Sequence, residues 1–85
     1  SMQVRYHNGI HLPGLSLWLD AHQARPLAVV THGHSDHIRR HEEVYCTVAT
    51  AAIMRRRGIT RSRFRTLRFG EPAGLGDGQV TLYPA

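Results

Sequence analysis

Leu27-Ala28-Val29-Val30-Thr31-His32-Gly33-His34-Ser35-Asp36-His37 joins an apolar run directly to a loop dense in metal-ligating side chains. The first five residues are short, β-branched and continuously apolar up to Thr31, the pattern of an internal strand covered on both faces. The loop then follows at the strand's C-terminal end, where open α/β sheets place their ligands. Imidazole and carboxylate together suit zinc and similar divalent cations. If the strand stays extended past Thr31, His32 and His34 point to the same side and can share one metal. A turn through Gly33–Ser35 brings Asp36 and His37 round as adjacent ligands, too crowded to join the first pair easily. A second metal resolves the crowding. Two cations about 3.5–4 Å apart can lower the pKa of a shared water and clamp a phosphate or carbonyl oxygen.

Working outward, residues 4–6 read as a first strand, turned by Asn8-Gly9 into a return strand over Ile10–Leu12 that ends at Pro13-Gly14. Leu15–Leu19 reads as a third strand closing on Asp20. Together these make an opening β-meander. Pro26 stands at the start of the strand 27–31, where a missing N–H is tolerated. Beyond the loop, residues 38–43 are expected to form a short helix and Val44–Val48 the next strand. Thr50 is the expected N-cap of a second helix through residues 51–54, ended by Gly58. Residues 63–69 read as a strand, Gly74–Gly78 as a turn and residues 79–83 as a last strand. There is no internal repeat, low-complexity tract or linker. The order of elements predicts an α/β or α+β fold with a mixed sheet and short connections.

At 85 residues the chain is one small domain at most, with a low buried fraction of roughly 60–65%. Cys46 is the sole cysteine. No internal disulfide is possible, a reducing compartment is favoured, and its apolar neighbours predict an inert core thiol. Ser1 before Met2 reads as a scar of tag removal. No secretory signal is visible and the longest apolar stretch, around residues 15–19, is far too short to span a bilayer. These features predict a soluble, cytoplasmic protein with no membrane partner. The net charge of +5 comes from eleven arginines without a lysine. Basic chains often meet phosphates, although codon bias in a GC-rich genome produces the same arginine count.

His32-x-His34-x-Asp36-His37 after an apolar strand resembles the signature of the metallo-β-lactamase superfamily, whose fold is an αββα sandwich. The resemblance extends over most of the chain: the opening meander, the strand ending in Asp20 and the strand before the loop follow the family's order. It implies that His32 and His34 bind one metal and Asp36 and His37 a second, the pair of ions being zinc. It also implies that Asp20 braces the metal loop by hydrogen bonds, the kind of support that orients ligands. The catalytic machinery would be these ligands themselves, with no separate catalytic residue in the chain. The family's later histidines and bridging aspartate have no counterpart here. The expectation is therefore that residues 1–85 are a single partial domain, the N-terminal half of the sandwich in a longer enzyme. Ile38-Arg39-Arg40 stands where many members carry a glycine, which weakens a match to the thiolesterase and lactonase branches. His34-Ser35-Asp36-His37, Leu17-Trp18-Leu19-Asp20-Ala21 and Val80-Thr81-Leu82-Tyr83-Pro84-Ala85 look more like RNA 3′-end-processing factors and ligase-associated DNA exonucleases.

Arg55, Arg56, Arg57, Arg61, Arg63, Arg65 and Arg68 put seven cations in fourteen residues. All but Arg68 are candidate contacts for a nucleic-acid backbone, because phosphate contacts supply much of such affinity. The competing account is equally simple: Arg55–Arg57 suit a helix C-terminus, and Arg61, Arg63 and Arg65 alternate as an exposed strand face would. His7, His11, His22 and His41 are scattered and read as surface or satisfied core histidines. The leading functional expectation is a metal-dependent phosphodiesterase, a nuclease acting on DNA or RNA. One alternative is hydrolysis of a small thioester, lactone or β-lactam on the same fold. A second is a non-catalytic fragment that self-associates through an exposed sandwich face.

Overall fold

The computed structural model describes residues 5–6, 10–12, 17–21, 23–31, 38–75 and 78–84. Six strands form one sheet in chain order: β1 (Arg5–Tyr6), β2 (Ile10–Leu12), β3 (Leu17–Leu19), β4 (Leu27–Val29), β5 (Glu43–Cys46) and β6 (Arg63–Thr66). β1, β2 and β3 pair antiparallel, as a meander must, and β3, β4, β5 and β6 run parallel. The helix α1 (Val48–Arg56) carries the chain from β5 back to β6, the crossover that parallel neighbours require. A separate antiparallel pair, β7 (Ala73–Leu75) and β8 (Gly78–Val80), follows. The architecture is mixed α/β, in line with the expected fold class.

Strand alternation divides the core in two. Leu17, Val29 and Tyr45 pack with Leu67 and with Leu75 of β7, so the hairpin covers this face of the sheet. Their sequence neighbours Val30, Val44 and Cys46 point the other way and pack with Ala51 and Met54 of α1 and with Ile59. β4 and β5 are thus buried on both sides, as the apolar run 27–30 predicts. Cys46 lies fully in the α1-side core and its burial pushes the thiol up to about 11, which fits an inert core cysteine.

Several expected boundaries shift, each for a visible reason. Residues 38–43 form no helix. The backbone there turns to partners far away in sequence: the Glu42 N–H donates to the Arg25 carbonyl at 3.0 Å and the Glu43 N–H to the Pro26 carbonyl at 3.0 Å. Glu43 already belongs to β5, paired with Leu27. Val48 lies in α1 and not in the strand, and the N-cap is Thr47, three residues earlier than expected. The Thr47 hydroxyl accepts from the Thr50 N–H at 3.2 Å, and Thr50 takes the third helical position. Gly58 does end the helix, at φ 92, a conformation glycine adopts without strain. β6 stops at Thr66, and the expected last strand over 79–83 is the shorter β8, paired with a strand, β7, that the Pro72-Ala73-Gly74 composition conceals. Among the described residues no helix is long and apolar enough to cross a membrane.

Candidate functional site

Because β3 and β4 are parallel neighbours, their C-terminal ends lie together. Asp20 leaves β3 there with its N–H donating to the Val29 carbonyl at 2.9 Å. It then adopts φ 47, a left-handed conformation that aspartate tolerates better than most residues. This turn aims its carboxylate at the end of β4. Asp20 Oδ1 accepts the Thr31 N–H at 2.8 Å and Oδ2 accepts the Thr31 hydroxyl at 2.6 Å. Both carboxylate oxygens therefore hold the residue directly before His32. These two contacts tie the end of β3 to the end of β4.

His32, His34, Asp36 and His37 themselves lie outside the described residues, as do His7 and His22. Among the described residues no group of three or more histidine, cysteine or acidic side chains could hold a metal. The fit of a divalent cation accordingly rests on donor chemistry. Three imidazoles and a carboxylate within six positions match zinc's preferred nitrogen and oxygen ligands, and the strand end that launches them is clamped.

A second feature escaped sequence reasoning. His41 is 1% exposed, among the largest fully buried side chains. Its Nδ1 accepts the Arg25 backbone N–H at 3.0 Å, so the neutral ring carries its proton on Nε2. That Nε2 is buried and has no partner among the described residues. Burial, with help from the Arg39 and Arg25 charges and against the pull of Asp20, pushes the imidazole down to about 4. The His41 carbonyl accepts from the Ser62 hydroxyl, tying this segment to the start of β6. Of the expected alternatives, surface or satisfied core histidine, His41 is a core residue, with one ring nitrogen partnered and the other not among the described residues. Its burial depends on the irregular path of residues 38–42, which no local pattern announces.

Arg55, Arg56, Arg57, Arg61, Arg63 and Arg65 are all exposed, but they do not act as one uniform patch. The Arg55 guanidinium lies 4.5 Å over the Phe64 ring, joining the end of α1 to β6. Arg63 and Arg65 both reach the Glu43 carboxylate, at 3.3 and 3.6 Å. On the edge strand β6 such charges also discourage pairing with another sheet. Arg61 lines a cavity with His41. A further cation, Arg25, stacks 3.8 Å over Trp18, a contact with no signature in sequence.

A probable DNA ligase of Opitutus terrae is 42% identical to this chain over 83 residues. The match covers 96% of the chain and only 8% of that protein. No family model matches the chain, and no solved structure matches it.

Proposed function

We propose that this chain contributes a metal-binding segment to a nucleic-acid-processing enzyme, a metal-dependent phosphodiesterase with the half-sandwich of the metallo-β-lactamase fold. The observation that carries the reading is the two-oxygen clamp of Asp20 on Thr31, immediately before the run His32-x-His34-x-Asp36-His37. A strand end held this firmly is what a ligand loop needs for pre-organisation. The likeness to a stretch of a probable DNA ligase supports a nucleic-acid setting. The chain has no lysine, so a lysine-amine nucleophile is not what it contributes.

In this reading His32 and His34 hold one cation and Asp36 and His37 another, the two supplying Lewis-acid stabilisation of charge on phosphate oxygens. Asp20 positions the loop through Thr31. The exposed arginines draw the phosphate backbone. Two metals need more donors than these four, so the 85 residues alone are expected to bind metal weakly and to turn over little.

Zinc binding by competition with a chromophoric chelator tests the first step. His32→Ala and His37→Ala should each weaken it at least tenfold, and wild-type affinity in both variants would refute the metal site. Cleavage of a labelled single-stranded oligonucleotide, run beside a thioester and a β-lactam with the parent enzyme, tests substrate class. Turnover of the small esters alone would remove the nucleic-acid reading.

A further inference from the structure

The ligand run 32–37 lies between Thr31 and Ile38. The Asp20 carboxylate grips the first of these. The second is only partly buried against the α1-side core, and from it the chain passes through Arg39 and Arg40 to His41 without a turn or bend. Three residue steps reach at most about 10–11 Å, and a straight run of that length has little slack to absorb a shift. Whatever holds His41 therefore also governs where the chain leaves the ligand run.

His41 is held firmly. Its ring is 1% exposed, and its Nδ1 accepts the Arg25 N–H at 3.0 Å. The next residue returns the contact, the Glu42 N–H donating to the Arg25 carbonyl at 3.0 Å. Arg25 is itself fixed: its guanidinium stacks 3.8 Å over Trp18 of β3 and donates to the Gln23 side-chain oxygen at 3.2 Å. A single connection, between β3 and β4, thus supplies both grips. Asp20 at its start holds Thr31, and Arg25 near its end holds His41. An apolar side chain at position 41 would fill the same core space but could not accept the Arg25 N–H. The imidazole nitrogen is what adds a directional tie to the packing.

We propose that His41 is a positioning residue of the ligand loop: tied to Arg25, it fixes the exit of the loop and so the Asp36–His37 pair, as Asp20 fixes the entrance and the His32–His34 pair. The metal role rests on the reading proposed above. The tie to Arg25 does not, and no cleavage chemistry enters either.

Two readouts on the 85-residue protein separate these. With EDTA present, amide relaxation measured by NMR should show Ile38 and Arg39 rigid, with order parameters of about 0.85. His41→Leu keeps the bulk and loses the acceptor, and should drop them below about 0.6 while the amides of α1 stay unchanged. His41→Asn carries an oxygen close to the place of Nδ1 and should restore them. Should the leucine variant not fold, His41→Gln, whose oxygen lies near the place of Nε2 instead, takes its part. Zinc is then titrated without EDTA and followed by the ring signals of His32, His34 and His37. His41→Leu should weaken the His37 response about tenfold and leave His32 and His34 within about twofold, and His41→Asn should recover the loss. Asp20→Ala should weaken His32 and His34 more than His37. Unchanged order parameters in His41→Leu would overturn the tie. Equal weakening at all three rings, or none at His37, would overturn the positioning role and leave His41 a core residue only. A wild type in which no ring responds to zinc would remove the metal reading and the positioning role with it, while the order parameters still decide the tie.

Discussion

Replacing Asp20 isolates the contribution of the clamp. Asp20→Ala deletes both acceptors of Thr31. A hydrogen bond to a charged group contributes about 1.5–3 kcal/mol when sheltered, but Thr31 is exposed and water replaces the lost partner, leaving about 1 kcal/mol for each. Alanine at φ 47 adds backbone strain of about 1 kcal/mol, since a left-handed conformation suits it poorly. The sum is about 2–3 kcal/mol. Asp20→Gly loses the same acceptors without the strain, and Asp20→Asn keeps one acceptor and the tolerated conformation. Stability by urea denaturation should therefore fall in the order wild type, Asn, Gly, Ala, with the asparagine variant down by about 1 kcal/mol. The functional half of the claim is read separately, as zinc affinity, which removal of such a supporting group typically lowers 10–100-fold. Asp20→Ala with wild-type stability and wild-type zinc affinity would refute the brace outright. Lost stability with unchanged zinc affinity would reduce it to a turn device that serves β3 and β4 alone.

Two further outcomes follow from the buried segment and the helix start. The His41 imidazole is depressed to about 4 from an ordinary 6.5, so the unfolded chain takes up the proton that the folded chain refuses. Its stabilising contribution is fully present above pH 6.5 and is lost as pH falls from 6.5 toward 4. By linkage the loss is on the order of 2–3 kcal/mol. Urea midpoints measured across that window should fall with acidity in the wild type and much less in His41→Gln. Thr47→Ala removes the acceptor of the Thr50 N–H and should cost about 1 kcal/mol, seen as a lower urea midpoint. Thr50→Val, by contrast, tests the N-cap position expected from sequence. It leaves the Thr47 acceptor in place and should cost less.

What sequence disclosed was whatever depends on neighbours along the chain. β2 occupies the predicted residues, because Asn8-Gly9 and Pro13-Gly14 bracket it. The two-sided burial of β4 follows from its unbroken apolar run. Gly58 stops α1 as its flexibility predicts. The misreadings share a different cause. Residues 38–43 look helical locally, yet the backbone N–H groups of Glu42 and Glu43 are claimed by Arg25 and Pro26, each about seventeen residues away. His41 becomes a core residue only through that long-range pairing. Thr47 and Thr50 stand three apart and both carry a capping hydroxyl; the extended backbone of Thr47, at φ −74 and ψ 161, makes it the N-cap. The contact of Asp20 with Thr31, a carboxylate accepting from the N–H and the hydroxyl of one residue, likewise joins positions eleven apart and leaves no local pattern. The ligand run itself is legible only as chemistry, since its four donors lie outside the described residues.

The parallel register gives the two candidate regions a fixed relation. Asp20 and Thr31 sit at the C-terminal ends of β3 and β4, whereas His41 and Ser62 precede the N-terminal ends of β5 and β6. Strands of three or four residues at about 3.3 Å each separate these edges by roughly 10–13 Å. Residues 38–40 cross that distance on the face covered by α1, where Ile38 packs against the core. A small thioester or lactone held at the Thr31 edge would not extend to Arg61 at the opposite edge. In the phosphodiesterase reading proposed above, a polymer with a phosphate at every step is long enough to span both edges. The arrangement thus separates the substrate classes by length: in the parent enzyme Arg61→Gln should leave any small-ester turnover unchanged while weakening longer oligonucleotides more than a dinucleotide. Equal weakening for substrates of every length would place Arg61 outside the substrate path.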